Sequence, residues 1–170
     1  MKKTVKIIFV IVLIMIFGGV RILIHDKNVL RNDIIRLHVV GNSNSAQDQN
    51  VKLAVKDGIV SWLQENLHAE FSVEDAKAYI YKSIPDLQQL ANQILENNGV
   101  ADKAVISLKK ESFDTRVYDT FTLPAGIYES LRVEIGSASG RNWWCVVFPA
   151  LCLPTSSEEF CQTAVSSGMD

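Results

Sequence analysis

The sequence lacks the basic patch or stripe that nucleic-acid-binding proteins usually carry. Its 170 residues contain 17 Lys and Arg against 19 Asp and Glu, so the formal net charge is −2 at pH 7. Four of the basic residues flank the first apolar run: Lys2, Lys3, Lys6 and Arg21. Removing these four from the 17 leaves 13 basic residues against 19 acidic ones in the rest of the chain. We therefore expect no nucleic-acid partner.

Cysteine is scarce, and its spacing argues against a zinc site. Cys145, Cys152 and Cys161 are too far apart for a zinc knuckle, and no histidine accompanies them. We expect neither a metal nor a cofactor. Outside the cytoplasm a disulfide among these three residues is permitted. Because their number is odd, at least one thiol would then stay free or pair with another chain.

The sequence also lacks internal repeats and low-complexity tracts. Hydrophobic residues make up 48% of the chain and charged residues 21%, which is normal for a globular protein and argues against global disorder. A length of 170 residues is enough for one domain of ordinary size.

A long apolar run stands at the N-terminus, directly after the basic stretch MKKTVK. Residues Ile7–Val20 are fourteen apolar residues without a charge, which is short for a spanning helix and typical of a signal-peptide core. The run extends to Ile24 if Arg21 snorkels toward the headgroups. We expect residues 1–24 to be a signal peptide or a membrane anchor, followed by a linker over residues 25–33. Either reading places the rest of the chain outside the cytoplasm.

The next segments predict one strand and then helices. Residues Ile34–Val40 are β-rich and end at Gly41, which predicts a strand. Ser45, with Asp48 three residues later, predicts the start of a helix. The apolar positions that follow recur at helical spacing and form one stripe: Val51, Ala54, Val55, Gly58, Ile59, Trp62 and Leu63.

A second helix is predicted to begin at the capping pair Ser72 and Asp75. Pro85 is expected to interrupt this helix and to start a new one, because a proline lacks the N–H group that an interior helical position donates. The new helix is expected to stop at the sequence NNG, which ends at Gly99.

After Gly99 the apolar pattern changes from helical to alternating, which predicts strands. The predicted strands are Lys103–Lys110, Arg116–Leu123, Tyr128–Gly136 and Asn142–Phe148. The sequence SASGR, residues 137–141, predicts a hairpin loop between the last two. Helices grouped before clustered strands predict an α+β fold, a single domain over residues 34–152 with an antiparallel β-sheet packed on helices. Residues 153–170 form a short tail.

The last predicted strand, NWWCVVF, carries apolar residues on both faces. Trp143 and Cys145 face one side, and Trp144 and Val146 face the other. This pattern predicts an interior strand with Cys145 packed and at least one tryptophan largely buried. Two alternatives remain open for Cys145: a disulfide with one of the other cysteines, or a nucleophile with His38 as its base.

Seven residues are candidates for binding a partner: Arg36, His38, Asn42, Ser43, Tyr128, Trp143 and Trp144. Arg36 and His38 form a polar pair on one face of an otherwise apolar strand. Asn42 and Ser43 lie in a polar turn, and the aromatic residues are of the kind that anchors protein interfaces. Each also has an ordinary structural role open to it, as a hydrogen-bonded, turn-forming or packed residue.

Two blocks of the sequence resemble the stage II sporulation protein R family. The first is RLHVVGNSNSAQDQNVKLAVKDGI (Arg36–Ile59), and the second is LPAGIYESLRVEIGSASGRNWWCVVFPALC (Leu123–Cys152). The second block is specific, because LPAG followed at this distance by NWWCV is distinctive of the family. Departures are small: Gly41 stands where the family commonly has alanine, Asn44 where it has aspartate and Ala150 where it has a second proline.

The resemblance implies an exported protein that acts without catalysis. Members of this family are made in the forespore and exported into the space between forespore and mother cell. There they activate a membrane-embedded aspartic protease that processes pro-sigma-E. The resemblance implies that protease as the partner, and it supplies no catalytic residue. A cell-envelope thiol hydrolase or transferase that uses Cys145 and His38 is the alternative.

Overall fold

The computed structural model describes residues 12–15, 33–68, 70–117 and 122–149. Residues 12–15 are helical. The later elements follow in the order β1 (Ile35–Val40), α1 (Ala46–Asn66), α2 (Val73–Asn97), β2 (Ala104–Phe113), β3 (Arg116–Val117), β4 (Thr122–Leu123), β5 (Gly126–Ile135) and β6 (Asn142–Phe148). The α+β class predicted from the sequence is confirmed.

The predicted N-terminal and C-terminal segments cannot be compared in full with the structure. Most of residues 1–24, nearly all of the linker 25–33 and the whole tail 153–170 lie outside the described residues. Within the described ranges, no helix combines the length and the apolar character needed to cross a membrane.

The main sheet is mixed, and the prediction of an antiparallel sheet is wrong. Its strand order is β2-β5-β1-β6. β1 runs parallel to β5, whereas the β2–β5 and β1–β6 pairs are antiparallel. A parallel pair needs a long crossover connection, and α1 and α2 lie in the chain between β1 and β5. The coarse order of one strand, then helices, then strands is confirmed, but the sequence does not predict that β1 is inserted into the sheet.

The same insertion corrects two predictions about β6. Because β1 lies between β5 and β6, the loop of residues 136–141 passes the end of β1 and is not a hairpin loop. β6 is an edge strand of this sheet, not an interior one. Residues 145–147 are nevertheless buried, because an apolar cluster lies on each face of the strand. Trp143 and Trp144 are each mostly, though not fully, buried, which agrees with the expectation that at least one tryptophan of this strand is largely buried.

The helix starts predicted at Ser45 and Ser72 are confirmed, whereas the one predicted at Pro85 is wrong. The Ser45 side chain accepts a hydrogen bond from the Asp48 backbone N–H, and Ser72 and Asp75 form a reciprocal capping box. Pro85, however, lies inside the continuous helix α2. It sits on the exposed side of the helix, as does Tyr81 four residues earlier. Water can therefore solvate the carbonyl that loses its partner there, while the opposite side of α2 stays packed.

The predicted strand Arg116–Leu123 is wrong in its continuity. Residues 116–117 and 122–123 form two short strands, β3 and β4, which pair with each other in a separate two-stranded sheet. Residues 118–121 lie outside the described residues.

Both helices pack on one face of the main sheet and form the larger core. The helix residues at its centre are Val55, Ile59, Leu63, Ile80, Leu87, Ala91 and Leu95, and the strand residues are Ile35, Leu37, Val39, Leu131 and Val133. Burying one such aliphatic side chain contributes about 1.5–3 kcal/mol. The apolar stripe predicted for α1 is confirmed at its buried positions. This packing leaves the second face of the sheet without a described helix against it.

Candidate partner-binding face

Side-chain alternation along β1 assigns the candidate residues to the face of the sheet opposite the helices, here called the helix-free face. Ile35, Leu37 and Val39 belong to the helix-side core. Arg36 and His38, between them, project the other way. A smaller apolar cluster lies on this face, made of Ile34, Phe113, Leu123, Tyr128 and Val146, with Trp144 against it.

Arg36 forms the buried base of the helix-free face. Its residue exposure is 0%, and its guanidinium carbon lies 3.9 Å from the centroid of the Phe113 ring and 5.2 Å from that of Tyr128. A cation above an aromatic face is attracted by the ring quadrupole, and more strongly when it is desolvated. Tyr128 is itself buried, and its hydroxyl donates to the Pro124 carbonyl oxygen at 2.6 Å. Arg36 and Tyr128 are therefore packed beneath the solvent-accessible surface of the helix-free face.

His38 lies beside Arg36 at the centre of a polar network. Its Nδ1 atom is 3.2 Å from Oε2 of Glu111, and its Nε2 atom is 2.9 Å from Oδ1 of Asn142. The imidazole stacks on the ring of Trp144, with centroids 5.6 Å apart. Arg132 Nη1 lies 3.2 Å from His38 Nδ1. Both ring nitrogens therefore have neighbours that fix the orientation of the imidazole.

Arg132 joins two carboxylates on the same face. Its Nη1 donates to Oε1 of Glu111 at 2.8 Å, and its Nη2 donates to Oε1 of Glu134 at 2.8 Å. Burial by itself would raise the pKa of Glu111, but its hydrogen bonds with Arg132 and His38 outweigh burial and hold that pKa below its ordinary value. Glu111 is therefore a carboxylate at neutral pH. It balances the positive charge of Arg132 within the face.

The helix-free face reaches solvent at a patch beside β6, here called the β3–β6 rim, made of Arg116 and Trp144 together with Val117, the exposed chain neighbour of Arg116. The guanidinium carbon of Arg116 lies 4.2 Å from the centroid of a Trp144 ring. Val117 is 62% exposed, and Trp144 is partly exposed. Aromatic and arginine side chains of this kind are enriched among residues that dominate binding energy. Of the seven candidate residues, Trp144 is the one placed to reach a partner directly from this face.

Trp143 and Cys145 lie on the helix side of β6 and not on the helix-free face. Trp143 packs against the helix-side core, with the Lys56 ammonium 4.8 Å from its ring centroid. Cys145 is buried in that core and is opposite Leu37 in the β1–β6 register. His38 projects to the opposite face, so the sheet lies between the thiol and the imidazole. The structure does not assemble the proposed Cys145–His38 pair. Cys152 and Cys161 lie outside the described residues, and a disulfide with either stays a prediction.

Asn42 and Ser43 connect the end of β1 to the β5–β6 loop. Asn42 Oδ1 accepts from the Ser137 backbone N–H at 2.9 Å, and the Asn42 carbonyl accepts from the Ser139 hydroxyl at 2.7 Å. The Ser43 hydroxyl donates to Oδ2 of Asp48, at the start of α1. These two candidates therefore form a latch that holds three segments together, and their polar atoms take part in hydrogen bonds within the protein.

A glycine closes this latch. The Gly140 N–H donates to the Gly41 carbonyl at 2.8 Å, and a Cβ added to Gly140 would lie 2.3 Å from the Ser43 carbonyl oxygen. No real Cβ contact is that short, so a side chain at Gly140 would push the two loops apart. The close approach requires glycine here.

Glu111 and Arg132 belong to the same network, although no sequence pattern marks them as candidates. Both occupy alternating strand segments where a charged residue reads as ordinary solvent-facing surface. The two residues are brought near each other by the pairing of β2 with β5, in which Ser107 is opposite Arg132 and Glu111 is opposite Tyr128. That register is a non-local property, and no local pattern shows that both residues meet His38.

Comparison with known proteins agrees with the sequence blocks. The profile of the stage II sporulation protein R family matches residues 31–158. The chain is 32% identical over 165 residues to stage II sporulation protein R of Bacillus subtilis (strain 168), an alignment that covers 89% of this chain and 71% of the relative. No solved structure matches the chain. The family match covers every element from β1 to β6, and the chain belongs to the stage II sporulation protein R family.

Proposed function

We propose that this protein is an exported signal of sporulation that acts by contact. It leaves the forespore, occupies the space between forespore and mother cell, and activates the membrane-embedded aspartic protease that processes pro-sigma-E. The observation that carries the proposal is the family match over residues 31–158, together with the similarity to the Bacillus subtilis protein. The basic and apolar N-terminus supports export, either as a cleaved signal or as an anchor that holds the protein at the membrane.

A role by contact agrees better with the arrangement of the site than a thiol enzyme does. A cysteine nucleophile needs a base within hydrogen-bond reach, and Cys145 and His38 project from opposite faces of the sheet. His38 is instead held among Glu111, Asn142 and Trp144. These contacts fix the helix-free face in one conformation, which reduces the entropy that a partner must remove on binding.

The proposed contact surface is the β3–β6 rim of Arg116, Val117 and Trp144. To activate the protease, the rim must bind its active conformation more tightly than its inactive one, because a ligand with equal affinity for both shifts nothing. Arg36, His38 and Tyr128 form a buried layer behind this rim, and the His38 ring stacks on Trp144.

Reconstitution in growing cells tests the proposal. The protease and pro-sigma-E are produced together with three forms of this chain: the intact chain, a form without residues 1–24, and a form in which a standard cleavable signal peptide replaces those residues. We expect mature sigma-E on an immunoblot with the first and third forms and none with the second. Equal processing with the form that stays in the cytoplasm would overturn the proposal.

A further inference from the structure

The second edge of the sheet, β2, has hydrogen-bonding groups that point away from its partner strand. The Ala104 N–H donates to Oδ1 of Asn92 at 2.8 Å, and the Ile106 N–H donates to Oε1 of Gln88 at 3.2 Å. Two amide side chains of α2 thus occupy the positions that the carbonyls of a neighbouring strand would take. The first third of the β2 edge is already covered by the protein itself.

Among the residues that the structure describes, the side chains that cover this edge end at Ile106, although β2 continues to Phe113. Backbone direction alternates along a strand, so the N–H and C=O groups of Leu108, Lys110 and Ser112 point outward as those of Ala104 and Ile106 do. Residues 108–112 are here called the open β2 edge. An uncovered row of such groups is a template for pairing with another strand.

Two lysines determine which strand fits there. Lys109 and Lys110 are exposed, and neither forms an ion pair with any residue in the described part of the chain. Their positions in the register put Lys109 on the helix-free face, opposite Ser130, and Lys110 on the helix side, opposite Glu129. An added strand also places successive side chains on alternate faces. Two consecutive acidic residues in that strand would therefore each meet one lysine.

The same lysines disfavour a second copy of this chain as the occupant. Edge-to-edge pairing of two β2 strands would bring Lys109 and Lys110 of one copy near those of the other, and like charges across a strand pair are destabilising. We propose that the open β2 edge binds an extended acidic segment of a partner protein by strand addition. Main-chain hydrogen bonds give such binding its affinity, and the charges select the partner.

Binding of synthetic peptides to the whole chain tests the inference. The probe is a fluorescein-labelled nonapeptide, Thr-Val-Thr-Glu-Glu-Val-Thr-Val-Thr, and its control carries Lys-Lys in place of Glu-Glu. Fluorescence anisotropy should show at least tenfold tighter binding of the acidic peptide, with affinity falling as salt rises. Equal affinity of the two peptides would overturn the proposal.

Methylated peptides separate strand addition from simple charge attraction. Two further peptides carry N-methyl groups on alternate amides, one on the odd and one on the even positions, with the charges unchanged. One of the two should lose binding at least tenfold, because its methyl groups face β2, while the other binds as the parent does. If both methylated peptides bind as tightly as the parent, strand addition is wrong.

A proline variant tests the same edge from the side of the protein. Lys110→Pro removes an outward N–H group that β5 does not use, and Lys110→Gln removes only the charge. We expect the proline variant to lose more affinity than the glutamine variant when both have a wild-type unfolding midpoint. Equal affinity of the two variants would overturn the proposal. If the proline variant unfolds, the methylated peptides on the wild-type chain decide the question. No protease enters these assays, so this inference and the proposed function can fail separately.

Discussion

His38 and Cys145 lie on adjacent strands and project from opposite faces of the sheet. Cys145 is opposite Leu37 in the register, and both belong to the helix-side core, whereas His38 stacks on Trp144 on the other face. The cysteine of the NWWC motif is therefore a packed core residue. The histidine of the RLHVV motif orients the polar network of the helix-free face.

Alkylation kinetics test the packing of Cys145. In a background with Cys152→Ser and Cys161→Ser, we expect iodoacetamide to label Cys145 slowly in the folded protein and rapidly in denaturant, because a buried thiol in apolar surroundings is inert. Mass spectrometry gives both rates. Rapid labelling of the folded protein that slows with His38→Ala would contradict this arrangement and favour a thiol enzyme.

The network around Glu111 predicts a pH dependence of stability. The folded-state pKa of Glu111 lies below its ordinary value of 4.5, so the stabilisation is fully present above the unfolded-state pKa. It is lost as the pH falls through the folded-state pKa. We expect Glu111→Gln to lower the free energy of unfolding by about 1–3 kcal/mol at pH 7. Urea titrations of both proteins should show this difference shrink below about pH 4.5. If the difference in the free energy of unfolding between the two proteins stays constant down to pH 3, the charge of Glu111 does not stabilise the fold.

The latch between the two loops predicts that an alanine substitution lowers the stability of the protein strongly at one glycine and only slightly at another. Gly140→Ala would place its Cβ against the Ser43 backbone, and it should cost about 1–3 kcal/mol of stability. Gly41→Ala is the matched control, because its nearest neighbour is the Gln49 side-chain amide at 3.0 Å, which can move. Denaturant unfolding measures both. Equal effects of the two substitutions would mean that the loops are not interlocked as described.

Pro85 predicts a stabilising substitution. Pro85→Ala restores a backbone donor inside α2, worth about 3 kcal/mol in a helix interior, and it forfeits up to about 1 kcal/mol of entropy in the unfolded state. We expect a net gain of about 2 kcal/mol, measured by urea unfolding. A loss of stability instead would indicate a break in the helix at residue 85.

Features that depend on neighbours in the chain are predictable from the sequence. The caps at Ser45 and Ser72 and the alternation of Trp143 and Trp144 are local, and they were predicted correctly. The position of β1 between β5 and β6 was missed, because strand pairing depends on the packing of distant segments. That one insertion explains the wrong hairpin, the wrong edge assignment and the latch at Asn42. The break expected at Pro85 failed because burial on the opposite side of α2 outweighs the loss of one exposed hydrogen bond.

The β3–β6 rim is proposed to activate the protease by contact, and a charge reversal tests this role most directly. Arg116→Glu changes the charge beside Trp144, and Lys82→Glu makes the same change at an exposed position on α2. Both variants are exported with the protease and pro-sigma-E, and mature sigma-E is quantified at equal amounts of folded signal protein. We predict that Arg116→Glu reduces processing at least tenfold, whereas Lys82→Glu processes as the wild type does. Wild-type processing with Arg116→Glu would contradict the assignment of the contact surface.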